Sequence, residues 1–289
     1  MPRLIPLFAA LCLAPTLALA QMAGAPFEGR LKKIHDSKTI SVAYRTDAMP
    51  FSFEGTDKKP SGYTVELCRS VIGVIEQQIG VAPLQVKWVP VTLQNRFSTI
   101  ANGGADMECG ASTVTLGRMS QVSFSSLTFV DGTALLVRNS TQGTSLMDLA
   151  NKKIGVITGS SNEKALTAAM KAKVVTATVV PVKTREDGLA ELEAGNIDAF
   201  ASDRILLVGL ASKAKDPKSL ALLGDPISYE PYAIALPRGD WAMQQSVNAA
   251  LAQIYGSSAL NELYTRWFGA LGRPPAVLEV MFALGRLPE

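Results

Sequence analysis

Histidine is almost absent from this chain: 289 residues contain one, His35. A Ser-His-Asp or Cys-His nucleophile, or a multi-histidine metal site, would have to be built around that single ring. Cysteine is scarce as well, at three. No Cys-x-x-Cys pair or calcium-loop pattern appears, so neither a metal nor a cofactor is expected. No apolar run reaches the roughly 20 residues that a membrane span needs. A surplus of one charge sign is missing too. With 28 Lys plus Arg against 25 Asp plus Glu, the net charge of +3 is no electrostatic footprint for nucleic acid. Most enzyme readings start at a disadvantage.

What remains is an ordinary globular composition, 47% hydrophobic and 18% charged, at a length that suggests two domains. Residues 1–20 read as a secretory signal peptide. Arg3 gives the positive start, residues 4–13 the short apolar stretch, and Ala18 and Ala20 an A-x-A-type cleavage site before Gln21. Pro6 and Pro15 interrupt the run, and Leu11 before Cys12 does not suit a lipoprotein signal. Cleavage leaves Cys68 and Cys109 in a compartment that permits disulfides. A bridge between them and a pair of buried thiols are both open readings.

After a short polar lead-in, the patterning predicts a strand at 39–44, a loop at 45–60 and a helix at 63–79 that Gly80 stops. A strand at 84–91, a short helix at 95–101 and a strand at 105–109 follow. The rhythm recurs with strand 153–157, helix 160–170, strand 174–180, helix 185–194 and strand 197–201. Alternation of this kind implies βαβ units and a parallel sheet in each of two α/β units. Extended apolar segments at 128–137 and 232–236 are expected to cross between the units, with the C-terminal helices returning to the first. The expected division is 21–132 with 233–289 as one lobe and 133–232 as the other. Lobes joined this way close on a ligand between them.

Three clusters are expected to face that cleft. In Ala111-Ser112-Thr113-Val114-Thr115-Leu116-Gly117-Arg118, hydroxyls and backbone N–H groups beside an arginine make an anion site, and a guanidinium can grip a carboxylate with two parallel bonds. A capped helix with a solvent-facing arginine is the plainer alternative. Ile157 to Glu163 runs from a strand through Gly159 into a helix, with Ser160 and Ser161 as natural N-caps. Asp203 follows an apolar strand, where it either caps a helix or projects into the cleft to bind a cation. A carboxylate receptor on one unit and a carboxylate on the other suit an α-amino acid. Arg118 and Thr113 would take its carboxylate and Asp203 its ammonium.

In these residues the chain resembles the periplasmic amino-acid-binding proteins of ABC importers, solute-binding protein family 3. The resemblance rests on Gly62-Tyr63-Thr64-Val65-Glu66-Leu67, Gly103-Gly104-Ala105-Asp106, the Thr113-to-Arg118 spacing, the Gly159-Ser160 turn and residues 195–203. Val91-Thr92-Leu93-Gln94-Asn95-Arg96, Glu108-Cys109-Gly110, residues 263–268 and Arg273-Pro274-Pro275 are similar to the glutamate/aspartate-binding branch. The resemblance implies a two-lobed α/β fold of the type II periplasmic-binding-protein kind with two hinge crossovers. It also implies a periplasmic location, an amino acid as ligand, an ABC permease as partner, a monomer and no catalysis. Carried over residue by residue, Arg118, Thr113 and Asp203 hold the amino-acid head. Arg45 and Arg96 hold the side-chain carboxylate, a branch histidine falls on Arg185, and Ser160 and Ala111 complete the contact set.

Two further departures from the branch matter more. Leu93 and Ala111 stand where it has serines, which leaves glutamine and asparagine beside glutamate and aspartate as ligands. Crowded arginines in a cleft favour an anion, unless Arg45 or Arg96 pairs with an acid such as Asp47 or Glu108. Phe51 and Phe53 either line the ligand's aliphatic part or pack in the core. The family's fold also hosts a cyclohexadienyl dehydratase, an enzyme that would need a proton-donating acid in the cleft. Glu163 and Glu230 are the candidates for that role. A receptor's sensor domain is the third class.

Overall fold

In the computed structural model, which describes residues 27–141 and 143–288, two five-stranded sheets form the cores of two lobes. The expected signal peptide and its cleavage site lie outside the described residues. No helix among the described residues is long and apolar enough to cross a membrane.

The first sheet orders its strands as Gln85–Val91, Thr39–Arg45, Met107–Cys109, Glu230–Leu236 and Ser123–Asp131. Its helix Tyr63–Ile79 has the expected bounds, for legible reasons. Val65, Leu67, Cys68, Val71, Ile72, Ile75 and Ile79 form one buried face, and Gly80 closes the helix in the left-handed conformation, φ 67°. That face packs on the sheet in one core with Val247, Leu251 and Tyr255 of helix Trp241–Tyr255 and with Leu263 and Phe268 of helix Ser258–Phe268. The C-terminal helices therefore do return to the first unit. Cys68 and Cys109 are bonded, tying that helix to the central strand. The lead-in holds an unpredicted helix, Gly29–Ser37, which buries only Leu31 and Ile34. His35 lies on it, its ring 5.2 Å from that of Phe27, and is none of the proposed contacts.

The second sheet runs Thr178–Val182, Lys153–Ile157, Ala199–Asp203, Thr133–Arg138 and Leu220–Leu223. Strand Thr178–Val182 begins four residues later than its apolar run suggests. Val174 has φ 55° and is exposed, so the backbone turns there before pairing Thr178 with Lys153. In each sheet two strand pairings are parallel, as expected from βαβ units, and two are antiparallel, so that one strand, Glu230–Leu236 in the first and Thr133–Arg138 in the second, runs against the other four. The antiparallel strands border the crossings, where no helix intervenes to bring the chain back in the same direction.

The chain leaves the first sheet at Asp131, passes through Gly132 and enters the second at Thr133. It returns between Leu223 and Glu230, ahead of the 232–236 segment, which belongs wholly to the first sheet. The two passages touch. A Cβ on Gly132 would stand 2.4 Å from the Ser228 carbonyl oxygen, and Thr133 N–H donates to Ser228 Oγ at 3.1 Å.

Candidate functional site

Between the lobes lies a cavity of about 680 Å³, within the range of small-molecule sites. Arg96, Phe97, Thr113 and Arg118 wall it on one side, Ser160, Ser161 and Lys164 on the other, and Glu230 of the returning strand completes it. A second cavity, about 640 Å³, opens elsewhere, against Phe129, Ile205 and Leu278, and contains none of the expected site residues.

Arg118 sits on the short helix Leu116–Met119, started by Thr115, whose hydroxyl accepts from Arg118 N–H at 3.2 Å. The Arg118 side chain then folds back, and its Nη1 donates to the Thr113 carbonyl at 2.7 Å. Thr113 is fixed by a backbone bridge to Tyr232. Its hydroxyl meets Ser161 Oγ at 3.2 Å, a polar contact made directly between the lobes. Ser160 is the N-cap of helix Ser161–Ala172 and is committed to it. Its hydroxyl accepts from Glu163 N–H at 3.1 Å and donates to the Ile157 carbonyl at 2.6 Å. Ser161 is thus the hydroxyl free to face the cleft, one residue beyond the one the sequence singles out. Glu163 accepts from Gly159 N–H at 2.8 Å, which ties it to the turn.

Asp203 stands at the N-cap position of helix Arg204–Ala211 but makes no capping bond. It accepts instead from Asn162 Nδ2 at 3.2 Å, behind the cavity wall. Burial, and then the charge of Glu230, push its carboxyl up to about 6. Asp131, on the crossover, is raised to about 7 by burial and by the charge of Asp203. Glu230 is the member of this acid group that reaches the cavity wall. Its Oε1 accepts from Thr133 and Ser228 hydroxyls at 3.0 and 2.8 Å, while its Oε2 is buried with no partner. The sequence offered Glu230 only as an acid for catalysis. Its position two residues before Tyr232, on the crossing segment, was the available clue to its place.

The arginines separate into two sets. Arg96 reaches the cavity, with its Nε donating to Ser112 Oγ at 2.9 Å and its Nη1 to the Leu93 carbonyl. Burial, then the charge of Arg118, lower its guanidinium to about 9, against the opposing pull of Glu108. Glu108 is wholly buried with both oxygens unpartnered, and burial raises its carboxyl. Arg45 and Arg185 do not wall the cavity. Both are buried on Asp47: Arg45 Nη2 and Arg185 Nη1 donate to the same oxygen, Oδ2, at 2.8 and 3.1 Å. Burial alone would raise the Asp47 carboxyl, but Arg45 and Arg185 together hold it below its usual range. The pairing of Arg45 with a neighbouring acid, open in the sequence, is what the structure contains.

Of the eight expected residues, then, Arg96, Thr113, Arg118 and Ser160 wall the cavity, and Arg45, Ala111, Arg185 and Asp203 do not. Ala111 packs against the first core, and Leu93 crosses to the second lobe's core. Phe51 is fully buried in the first core, and Phe53 meets Trp267 edge-on at 5.9 Å. No group of three or more His, Cys, Asp or Glu side chains suited to a metal occurs among the described residues.

The model of the bacterial extracellular solute-binding proteins, family 3, matches residues 40–270. The chain is 31% identical to a Pseudomonas aeruginosa protein named L-glutamate/L-aspartate-binding protein, over 98% of this chain and 93% of that one. It is also 31% identical to the glutamate/aspartate import solute-binding protein of Escherichia coli K12, over 95% and 91%. Among solved structures, an ancestral arginine-binding protein bound to arginine superposes with a TM-score of 0.69 at 26% identity, covering 80% of this chain and 99% of that chain.

Proposed function

Because the chain belongs to the bacterial extracellular solute-binding proteins of family 3, we propose that it captures glutamate or aspartate between its lobes and delivers it to the permease of an ABC importer. It does so in the periplasm, as a monomer and without turnover, after residues 1–20 have been removed. The lobes that close on the ligand follow the expected division, 21–132 with 233–289 and 133–232, except that the whole returning strand Glu230–Leu236 counts with the first.

Arg118 and Thr113 receive the α-carboxylate, and Ser161 adds a hydroxyl from the opposite lobe. Asp203 and Glu230 receive the α-ammonium. Arg96 meets the side-chain carboxylate, with Arg45, Arg185 and Ala111 behind it and Ser160 shaping the turn. One observation carries this reading: a single cavity has Arg96 and Arg118 on one wall and Glu230, one of whose carboxylate oxygens lacks a partner, on another. Opposite charges held apart in a desolvated cleft suit a zwitterion, and only the closed state makes both sets of contacts. The names of the two bacterial relatives favour an acidic side chain.

A thermal-shift screen of the protein from residue 21 against all the common amino acids tests the proposal. Ligands bound only by the folded state raise Tm, so glutamate and aspartate should give the largest rises. A larger rise with a neutral or basic amino acid would overturn the assignment. Turnover of prephenate or arogenate without amino-acid binding would overturn the class.

A further inference from the structure

Asp47 pairs with two of the arginines that the family resemblance assigns to a ligand's side-chain carboxylate. Arg45 and Arg185, the two arginines paired with it, come from different lobes and converge on one of its oxygens. Each keeps a buried Nε with no hydrogen-bond partner, so each retains a donor that a second anionic oxygen could use. Their charges are felt at Arg96, the arginine that does reach the cavity. Three guanidiniums thus share two acidic neighbours, Asp47 and Glu108, before any ligand arrives. Coulomb attraction between charges this close is substantial in a cleft of intermediate dielectric.

We propose that Asp47 is a built-in counter-anion of the arginine cluster, and that it sets how strongly the cleft prefers an acidic to a neutral side chain. The inference rests on the amino-acid reading above. With Asp47 charged, part of the positive field that would favour glutamate over glutamine is already neutralised. Removing that charge should tighten binding of a side-chain carboxylate and leave an amide of the same shape unaffected by the charge term. Asp47 also joins the lobes, so any variant changes closure as well. Closure affects both ligands alike and cancels in the ratio of their affinities.

The test measures Kd for glutamate and glutamine in wild type, Asp47→Asn and Asp47→Ser, with folding verified by thermal unfolding. The ratio Kd(Gln)/Kd(Glu) should rise about tenfold or more in both variants. An unchanged or smaller ratio would overturn the proposal and make Asp47 an organiser of the arginines instead. A second measurement needs no amino acid: the Tm of ligand-free protein in sodium sulfate against sodium chloride of equal ionic strength. The variants should gain a sulfate-dependent rise beyond that of wild type, because the freed arginines take the anion. Equal rises would overturn the counter-anion role. If no form binds either amino acid, the ligand assignment falls, and the sulfate comparison still decides the role of Asp47.

Discussion

Arg96 and Arg118 share one aromatic ring: their guanidinium carbons lie 4.2 and 5.4 Å from the centroid of Phe97. Cation–π attraction to a common ring offsets part of the repulsion between two like charges. The ring also holds both groups on the same wall of the cavity. The proposed function nevertheless gives the two separable tasks.

On the proposed reading, replacing Arg118 by Ala removes the anchor common to every α-amino acid. Loss of one partner of a desolvated charge pair costs about 3 kcal/mol, or roughly 100-fold in Kd, and the loss should be similar for glutamate and glutamine. Arg96→Ala should instead weaken glutamate about tenfold more than glutamine. Calorimetric titration of both variants with both ligands checks the split. Equal losses in Arg96→Ala would mean that the site does not read a side-chain carboxylate.

The Asp203 carboxyl, raised to about 6 by burial, gives binding a pH dependence whose sign can be worked out. A carboxyl raised in the folded state contributes stability fully below its unfolded value near 3.8, and that contribution fades as pH rises through about 6. An ammonium ligand needs the ionised form and pulls the group back down. Affinity should therefore be about tenfold weaker at pH 5 than at pH 7, with protons released on binding near pH 6. Titrations in two buffers of different protonation enthalpy measure that release. In Asp203→Asn it should vanish, along with most of the affinity.

Reducing the Cys68–Cys109 bond reopens a loop spanning 41 residues. The chain-entropy estimate for that length is about 4 kcal/mol. Denaturant unfolding of Cys68→Ala/Cys109→Ala should show a loss near that size. Amino-acid affinity should hold where the variant remains folded, because neither sulfur walls the cavity. A loss below about 1 kcal/mol would show that the helix and strand are held by packing alone.

The sequence was most readable where one local signal sufficed. Helix Tyr63–Ile79 announces itself by apolar spacing and a terminal glycine, and the Thr113–Arg118 segment by hydroxyls beside an arginine. It was less readable where a residue's partner is distant. Asp47 stands two residues from Arg45 and could be named as its partner, but nothing local reveals that Arg185, 138 residues from Asp47, turns to the same carboxylate. Ser160 and Ser161 are chemically equivalent in sequence, and the helix start decides which is consumed as a cap. Strand Thr178–Val182 was displaced because Val174, apolar by composition, takes a left-handed turn at the surface. Helix Gly29–Ser37 buries too few residues to produce a clear period.

The contact of Gly132 with the Ser228 carbonyl has a mechanical meaning. A lobe on one strap could swivel freely and meet its neighbour in many orientations. Two straps lying side by side resist twisting and leave one easy rotation, like a door on its pins. A closing motion about such a pair would bring the same faces together each time, Ser161 to Thr113 and Arg185 to Asp47, without a search. A side chain at position 132 would wedge the straps apart, altering the axis of that swing while leaving the ligand's own contacts chemically intact.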